Sequence, residues 1–127
     1  MINGKKFDLV NFWVDSFELT PTETPTKTGQ QFHLDATSNV FYSDKNQTDF
    51  RLTLSIELHK DKKFIFKACQ MAIISFEEDM DLEQATEAIA SVGSAKLLYP
   101  YLRAFTLATL NLAGHHNINI PVLMFED

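Results

Sequence analysis

The sequence predicts a single α+β domain, with four antiparallel strands followed by helices, the last of them long and apolar. Two observations carry this. Phe50, Leu52, Leu54, Ile56 and Leu58 alternate without a break against Arg51, Thr53, Ser55, Glu57 and His59, the pattern of a half-buried antiparallel strand. Over residues 97–113 the only charged side chain is Arg103. A surface helix shows one apolar stripe with charges opposite. Here Leu98, Tyr101, Phe105, Ala108 and Leu112 make the stripe, while Leu97, Leu102, Leu107 and Leu110 cover most of the remainder. Such a helix is buried on more than one side. In so short a chain the second covering surface is expected to be another copy of the protein, so the stripe is read as an oligomer interface.

The 127 residues suit one domain over 1–127, burying roughly two-thirds of the unfolded surface with no need of a disulfide or metal. The net charge of −6 argues against a phosphate backbone as partner, so no nucleic acid is expected. The single cysteine, Cys69, excludes an intramolecular disulfide and reads as a small hydrophobe. The N-terminus lacks the apolar run of a signal peptide. The 97–113 segment falls short of the roughly 20 residues that cross a bilayer. A cytoplasmic protein without membrane insertion follows.

The elements are justified in order. Residues 7–19 are rich in Phe, Val and Trp and read as a strand, with Val10, Phe12 and Val14 on one face and Leu9, Trp13 and Phe17 on the other. Residues 20–31 hold two prolines, a glycine and five threonines, and predict a mobile connection. The second strand covers 32–42, with Phe32, Leu34, Ala36, Val40 and Tyr42 facing one way. A polar turn at 43–49 leads into the alternating third strand. A hairpin over 59–63 then opens the fourth, residues 64–76, which is apolar on both faces like a central strand. With no helical pattern between the strands, a meander is the simplest topology.

The spacing switches to helical after residue 77. Asp79 or Asp81 can cap a helix whose stripe is Leu82, Ala85, Ile89 and Val92, ended by Gly93. Pro100 predicts that the principal helix starts near Tyr99 or kinks there, and Gly114 ends it. Residues 117–125 continue in extended form.

No chemistry is found. The four glycines are scattered, no Cys pair or HExxH occurs, and no Ser-His-Asp arrangement is supported. No enzyme, cofactor or metal site is expected. The adjacent His115 and His116 could in principle meet a divalent ion, but no acidic or Cys ligand has motif spacing to them, and capping is the preferred reading.

Three places resemble the SecB family of bacterial export chaperones. Ser16-Phe17-Glu18, with Pro21 and Pro25, resembles an S-F-E-x-P segment. Residues 50–76, ending in F-I-F-K-A-C-Q-M-A-I-I-S-F, resemble the family's third and fourth strands without a gap. Leu98-Tyr99-Pro100-Tyr101-Leu102-Arg103 resembles its L-F-P-Y-x-R motif, and Ile118, Ile120 and Phe125 fall at the spacing of its later positions. The type most resembled is the small SecB-like proteins of low-GC Gram-positive bacteria.

The resemblance implies a four-stranded antiparallel sheet and a long helix, assembled as a dimer or dimer of dimers with helices in the middle. It also implies non-enzymatic binding of non-native polypeptides along apolar grooves, a holdase activity. Phe64 matches the aromatic at the start of the family's fourth strand and is the leading client-binding residue; Trp13, Phe17 and Tyr101 join it. Departures are Ala104, His115-His116 and Met124, and no counterpart of the final helix or of the tail that contacts the motor SecA is expected. Glu18 and Ile65 match SecA-docking positions, but Lys67 stands where the family carries a glutamate, so SecA binding is not expected. The rival readings are a dedicated partner for one antitoxin-like client, and a small-ligand or metal-binding domain using His115-His116.

Overall fold

The structure is a computed structural model that describes residues 7–42, 48–91, 94–116 and 118–121. Four strands, β1 (Phe7–Pro21), β2 (Phe32–Tyr42), β3 (Asp49–Lys60) and β4 (Phe64–Phe76), precede helices α1 (Leu82–Ser91) and α2 (Ser94–Leu112). All neighbouring strands are antiparallel, in the order β1-β4-β3-β2. The expected meander therefore holds only for β2, β3 and β4. The first strand crosses over to pair with the fourth, which places β4 in the interior as its two apolar faces require. Hydrophobic period fixes which face is buried but not which strand is neighbour. The length of the 20–31 connection is the feature that separates the two topologies, since hairpin loops run about 2–5 residues.

That crossover spans two intervening strands, roughly 14 Å at the usual strand spacing, and it is tied down along its course. Thr22 N donates to the Lys63 carbonyl, Lys62 N to Thr24, and Asp61 N to Gln31, at 2.8–3.0 Å. Asp61 Oδ1 accepts from Thr26 N at 2.8 Å, and His59 Nε2 donates to the Thr24 carbonyl at 3.0 Å. The segment expected to be mobile is thus laced to the β3–β4 hairpin, and Thr26 is buried within it.

The inner face of the sheet carries the core. Phe50, Leu52, Leu54, Ile56 and Leu58 of β3 register with Ile74, Ala72, Gln70, Ala68 and Phe66 of β4. All are buried, and each large apolar side chain contributes roughly 1.5–3 kcal/mol relative to exposure. Helix α1 packs on β2, and α2 packs on β3 and β4. Ala85, Ala88 and Ile89 are the buried residues of α1. Its start is a reciprocal cap: Gln84 N donates to Asp81 Oδ1 at 2.7 Å, and Asp81 N to Gln84 Oε1 at 3.1 Å. Of the two capping candidates Asp81 is the one used. Val92 and Gly93 lie outside the described residues, as do the turn at 43–47, Asn117 and residues 122–127, including Met124 and Phe125.

Helix α2 begins at Ser94 and runs through Pro100 rather than starting at Tyr99. A proline inside a helix withholds one N–H from the carbonyl four residues back. Burial of Leu98, Tyr99, Leu102, Thr106 and Leu110 on the sheet outweighs that single lost bond. No helix is long and apolar enough to cross a membrane among the described residues.

Candidate functional site

The first strand does not keep one alternation. Its register against β4 shifts between Leu9 and Asn11 and again between Val14 and Ser16, so Val10 and Asp15 are bulged residues. Each bulge moves the following residues to the other phase. Leu9, Phe12, Val14 and Phe17 consequently share the inner face, opposite Ile74, Ala72, Gln70 and Ala68, while Val10 and Trp13 are 60% and 37% exposed. The expected partition, with Trp13 and Phe17 together, is corrected: they lie on opposite faces of the sheet.

On the inner side, α2 and β1 meet through aromatic rings. Phe12 and Tyr101 have centroids 4.5 Å apart and tilted by 41°; Phe17 and Phe105 are 5.1 Å apart in an edge-to-face arrangement. Both pairs stand within the favourable range for rings. The seam is incompletely covered, for Phe17 remains 55% and Tyr101 52% exposed. Beside it, Ala104, Ala108 and Leu112 continue an uncharged exposed strip along α2, Leu112 being 89% exposed. Arg103 does not interrupt that strip, because its Nε donates to the Ile120 carbonyl at 3.0 Å. Of the expected interface residues, Tyr101, Phe105, Ala108 and Leu112 border this strip. Leu98 is fully buried in the chain's own core and faces the sheet.

Phe64 is also covered, at 1% exposure. The His115 ring lies 4.5 Å from it, tilted by 48°. His115 is held there by the way α2 ends. Gly114 adopts φ +95° and donates its N–H to the Asn111 carbonyl, and His115 N donates to Leu110 at 2.8 Å. These are the two bonds of a Schellman cap. His116 turns away and donates from Nδ1 to Asn111 Oδ1. The two histidines thus have separate partners, and among the described residues no three His, Cys, Asp or Glu side chains gather as a metal-ligand set.

The outer face is different in kind. One cross-strand row reads Glu18, Lys67, Glu57 and Asp35, with Lys67 Nζ 3.8 Å from Glu57 Oε1. This row borders a shallow concavity of about 540 Å³ that Ser16, Cys69, Ser55 and Lys27 also line. Cys69 is half-buried on this face rather than in the core. In the next row His33 and His59 are direct register partners, yet His33 contacts Asp35 at 3.1 Å and His59 contacts the crossover. Neither the mixed charge nor the histidine pair assembles a nucleophile with a base.

No family model matches the chain, and no curated protein matches it. A solved structure does. The SecB-like chaperone Rv1957 of Mycobacterium tuberculosis, in complex with a ChAD peptide from the HigA1 antitoxin Rv1956, superposes with a TM-score of 0.74. The match covers 93% of this chain and 90% of that one at 17% sequence identity. The fold is SecB-like. At this identity the likeness is one of architecture: a four-stranded antiparallel sheet with helices on one face. The SecB-like arrangement also locates what the sequence missed. Tyr99 and Arg103, quoted above only as parts of a motif, fasten the segment at 120–121, and Asp61 fastens the crossover. Asp61 lies in a charged tip whose composition gives no sign of that role.

Proposed function

We propose that this chain is a non-enzymatic, SecB-like holdase that binds apolar segments of non-native polypeptides in the cytoplasm and needs no cofactor. The observation that supports this most is the seam of Phe12, Tyr101, Phe17 and Phe105, aromatic, uncharged and partly exposed. Rings contribute large contact area without demanding one sequence, which suits varied clients. Phe17 and Tyr101 are its accessible members. Trp13 serves a separate patch on the outer face, whereas Phe64 belongs to the buried core and is not an accessible client-binding residue of this chain.

The working unit is proposed to be a homo-oligomer, a dimer or dimer of dimers, in which the strip of Ala104, Ala108 and Leu112 beside the seam meets a second copy. Delivery to SecA is not part of this reading, because Lys67 sits in the middle of the acidic row on the outer face. A dedicated partnership with one antitoxin-like client is the second reading, favoured by the antitoxin peptide bound to the Mycobacterium tuberculosis neighbour.

The test is aggregation of an unrelated denatured protein, followed by light scattering without ATP. Several-fold molar excess of this chain should slow aggregation, and Phe17→Ser with Tyr101→Ser should weaken the effect. Unchanged aggregation overturns the generic holdase; capture of one client alone from the cytoplasm then selects the dedicated partnership.

A further inference from the structure

On the outer face, Ser16, Cys69, Ser55 and Thr37 form one cross-strand row, with one residue from each strand. Their short side chains floor the concavity of about 540 Å³. That volume falls within the usual range for small-molecule pockets, roughly 300–1,000 Å³. Two residues further along each strand, the row of Glu18, Lys67, Glu57 and Asp35 stands as one wall. Lys27 reaches the same concavity from the crossover. Its backbone is fixed by the preceding Thr26, which is buried, donates its N–H to Asp61 Oδ1 and donates its hydroxyl to the Gln30 carbonyl at 2.6 Å. The charges on this lining are unequally matched. Lys67 Nζ sits 3.8 Å from Glu57, and Asp35 contacts His33 at 3.1 Å. Among the described residues Glu18 accepts only the Thr20 hydroxyl, at 3.2 Å, and Lys27 has no ion-pair partner. One carboxylate and one ammonium are left over.

We infer that the concavity binds a free small zwitterion, an amino acid carrying one ammonium and one carboxylate. The ammonium meets Glu18 and the carboxylate meets Lys27, each gaining a charge-assisted hydrogen bond. The hydroxyls of Ser16, Ser55 and Thr37 serve the remaining polar atoms from the floor. Other ligands fit this inventory less well. A polyanion would meet three carboxylates, those of Glu18, Glu57 and Asp35. A divalent cation finds no set of three ligands among the described residues. An apolar compound would strip water from the charged row and return no hydrogen bond. A residue inside a polypeptide has lost both its α charges to peptide bonds, so its side chain supplies at most one of the two. The site is thus separate, in place and in chemistry, from the aromatic seam and the holdase reading.

Cys69 is the chain's only cysteine and lies on the floor of the concavity, so its alkylation reports occupancy. The experiment measures the rate at which iodoacetamide alkylates the whole 127-residue chain in the presence of four compounds. L-Serine and γ-aminobutyrate are zwitterions with close and distant charges; N-acetyl-L-serine lacks the ammonium and ethanolamine lacks the carboxylate. At millimolar concentration a zwitterion should slow alkylation about tenfold, and the two compounds with a single charge should leave the rate unchanged. Whichever zwitterion protects at the lower concentration fixes the charge spacing that the site selects. Lys27→Met and Glu18→Gln alter exposed positions and should each abolish the protection while the chain stays folded by circular dichroism. Equal protection by all four compounds, or none by either zwitterion, overturns the assignment. Protection that survives both substitutions overturns it as well. The holdase reading is decided separately, by aggregation.

Discussion

Arg103 and Tyr99, one turn apart on α2, grip consecutive carbonyls of the C-terminal segment: Nε of Arg103 donates to Ile120 at 3.0 Å, and the Tyr99 hydroxyl donates to Pro121 at 2.6 Å. Burial pushes the Tyr99 hydroxyl above its ordinary pKa of 10.0, and the nearby Arg103 guanidinium opposes that rise. Because the folded value is raised, the contribution is complete below the unfolded value and is lost as pH climbs through the folded one. Unfolding measured from about pH 8 to about pH 11 should show this loss setting in above pH 10. Tyr99→Phe should remove that component and cost about 1 kcal/mol at neutral pH.

Gln70 faces the core from β4 with 1% exposure, and its Oε1 has no hydrogen-bond partner among the described residues. An unmet buried acceptor costs about 1–3 kcal/mol. Gln70→Met keeps the volume and deletes the acceptor, so the urea midpoint should rise, by an equivalent of about 1 kcal/mol. A lowered midpoint would contradict this account.

The exposed strip on α2 separates two classes of substitution. Leu98→Asp places a charge in the sealed core and should unfold the chain. Ala108→Asp and Leu112→Asp change only exposed positions and should leave the monomer folded while lowering the assembled mass. Light scattering with circular dichroism distinguishes the outcomes. A mass of 14.5 kDa for the unaltered chain at micromolar concentration would contradict the proposed oligomer.

Lys67 lies between Glu18 and Glu57 across the strands. It neutralises part of a surface that a basic partner would need, though exposure and salt keep each contribution small. A zinc-loaded SecA C-terminal peptide should therefore show no micromolar binding at physiological salt. Lys67→Glu should strengthen whatever weak binding calorimetry detects.

What could be read from the sequence followed the strength of local pattern. The apolar positions of β3 and of the inner face of β4 are buried as their alternation implies, because period-2 burial is written residue by residue. Thr53 and His59 on the opposite face of β3 are nevertheless buried as well, and Ile65, Met71 and Ile73 of β4 are only half-buried. The bulges at Val10 and Asp15 carry no such mark; neither is a glycine, yet the first turns Trp13 away from the face of Leu9 and the second returns Phe17 to it. Pairing order was hidden for the same reason, since Phe7 gives no local sign that its partner is Phe76. Asp81 and Gly114 were legible as helix caps because capping chemistry is confined to one turn. The cover over Phe64 was not, since its partner His115 comes from a distant part of the chain.

The crossover also sets a timetable for the newborn chain. Every register partner of β1 lies in Phe64–Phe76, whereas the other two pairings, β2 with β3 and β3 with β4, join strands that follow each other in the chain. During synthesis at about 5–20 residues per second, β1 therefore leaves the ribosome first and waits several seconds for its mate. Throughout that interval it offers Phe12, Trp13 and Phe17 to any passing strand. The β2–β3–β4 meander can zip locally as it emerges, whereas docking of β1 closes the longest loop and comes late. A protein proposed to shelter unfinished chains spends the first moments of its own existence as one.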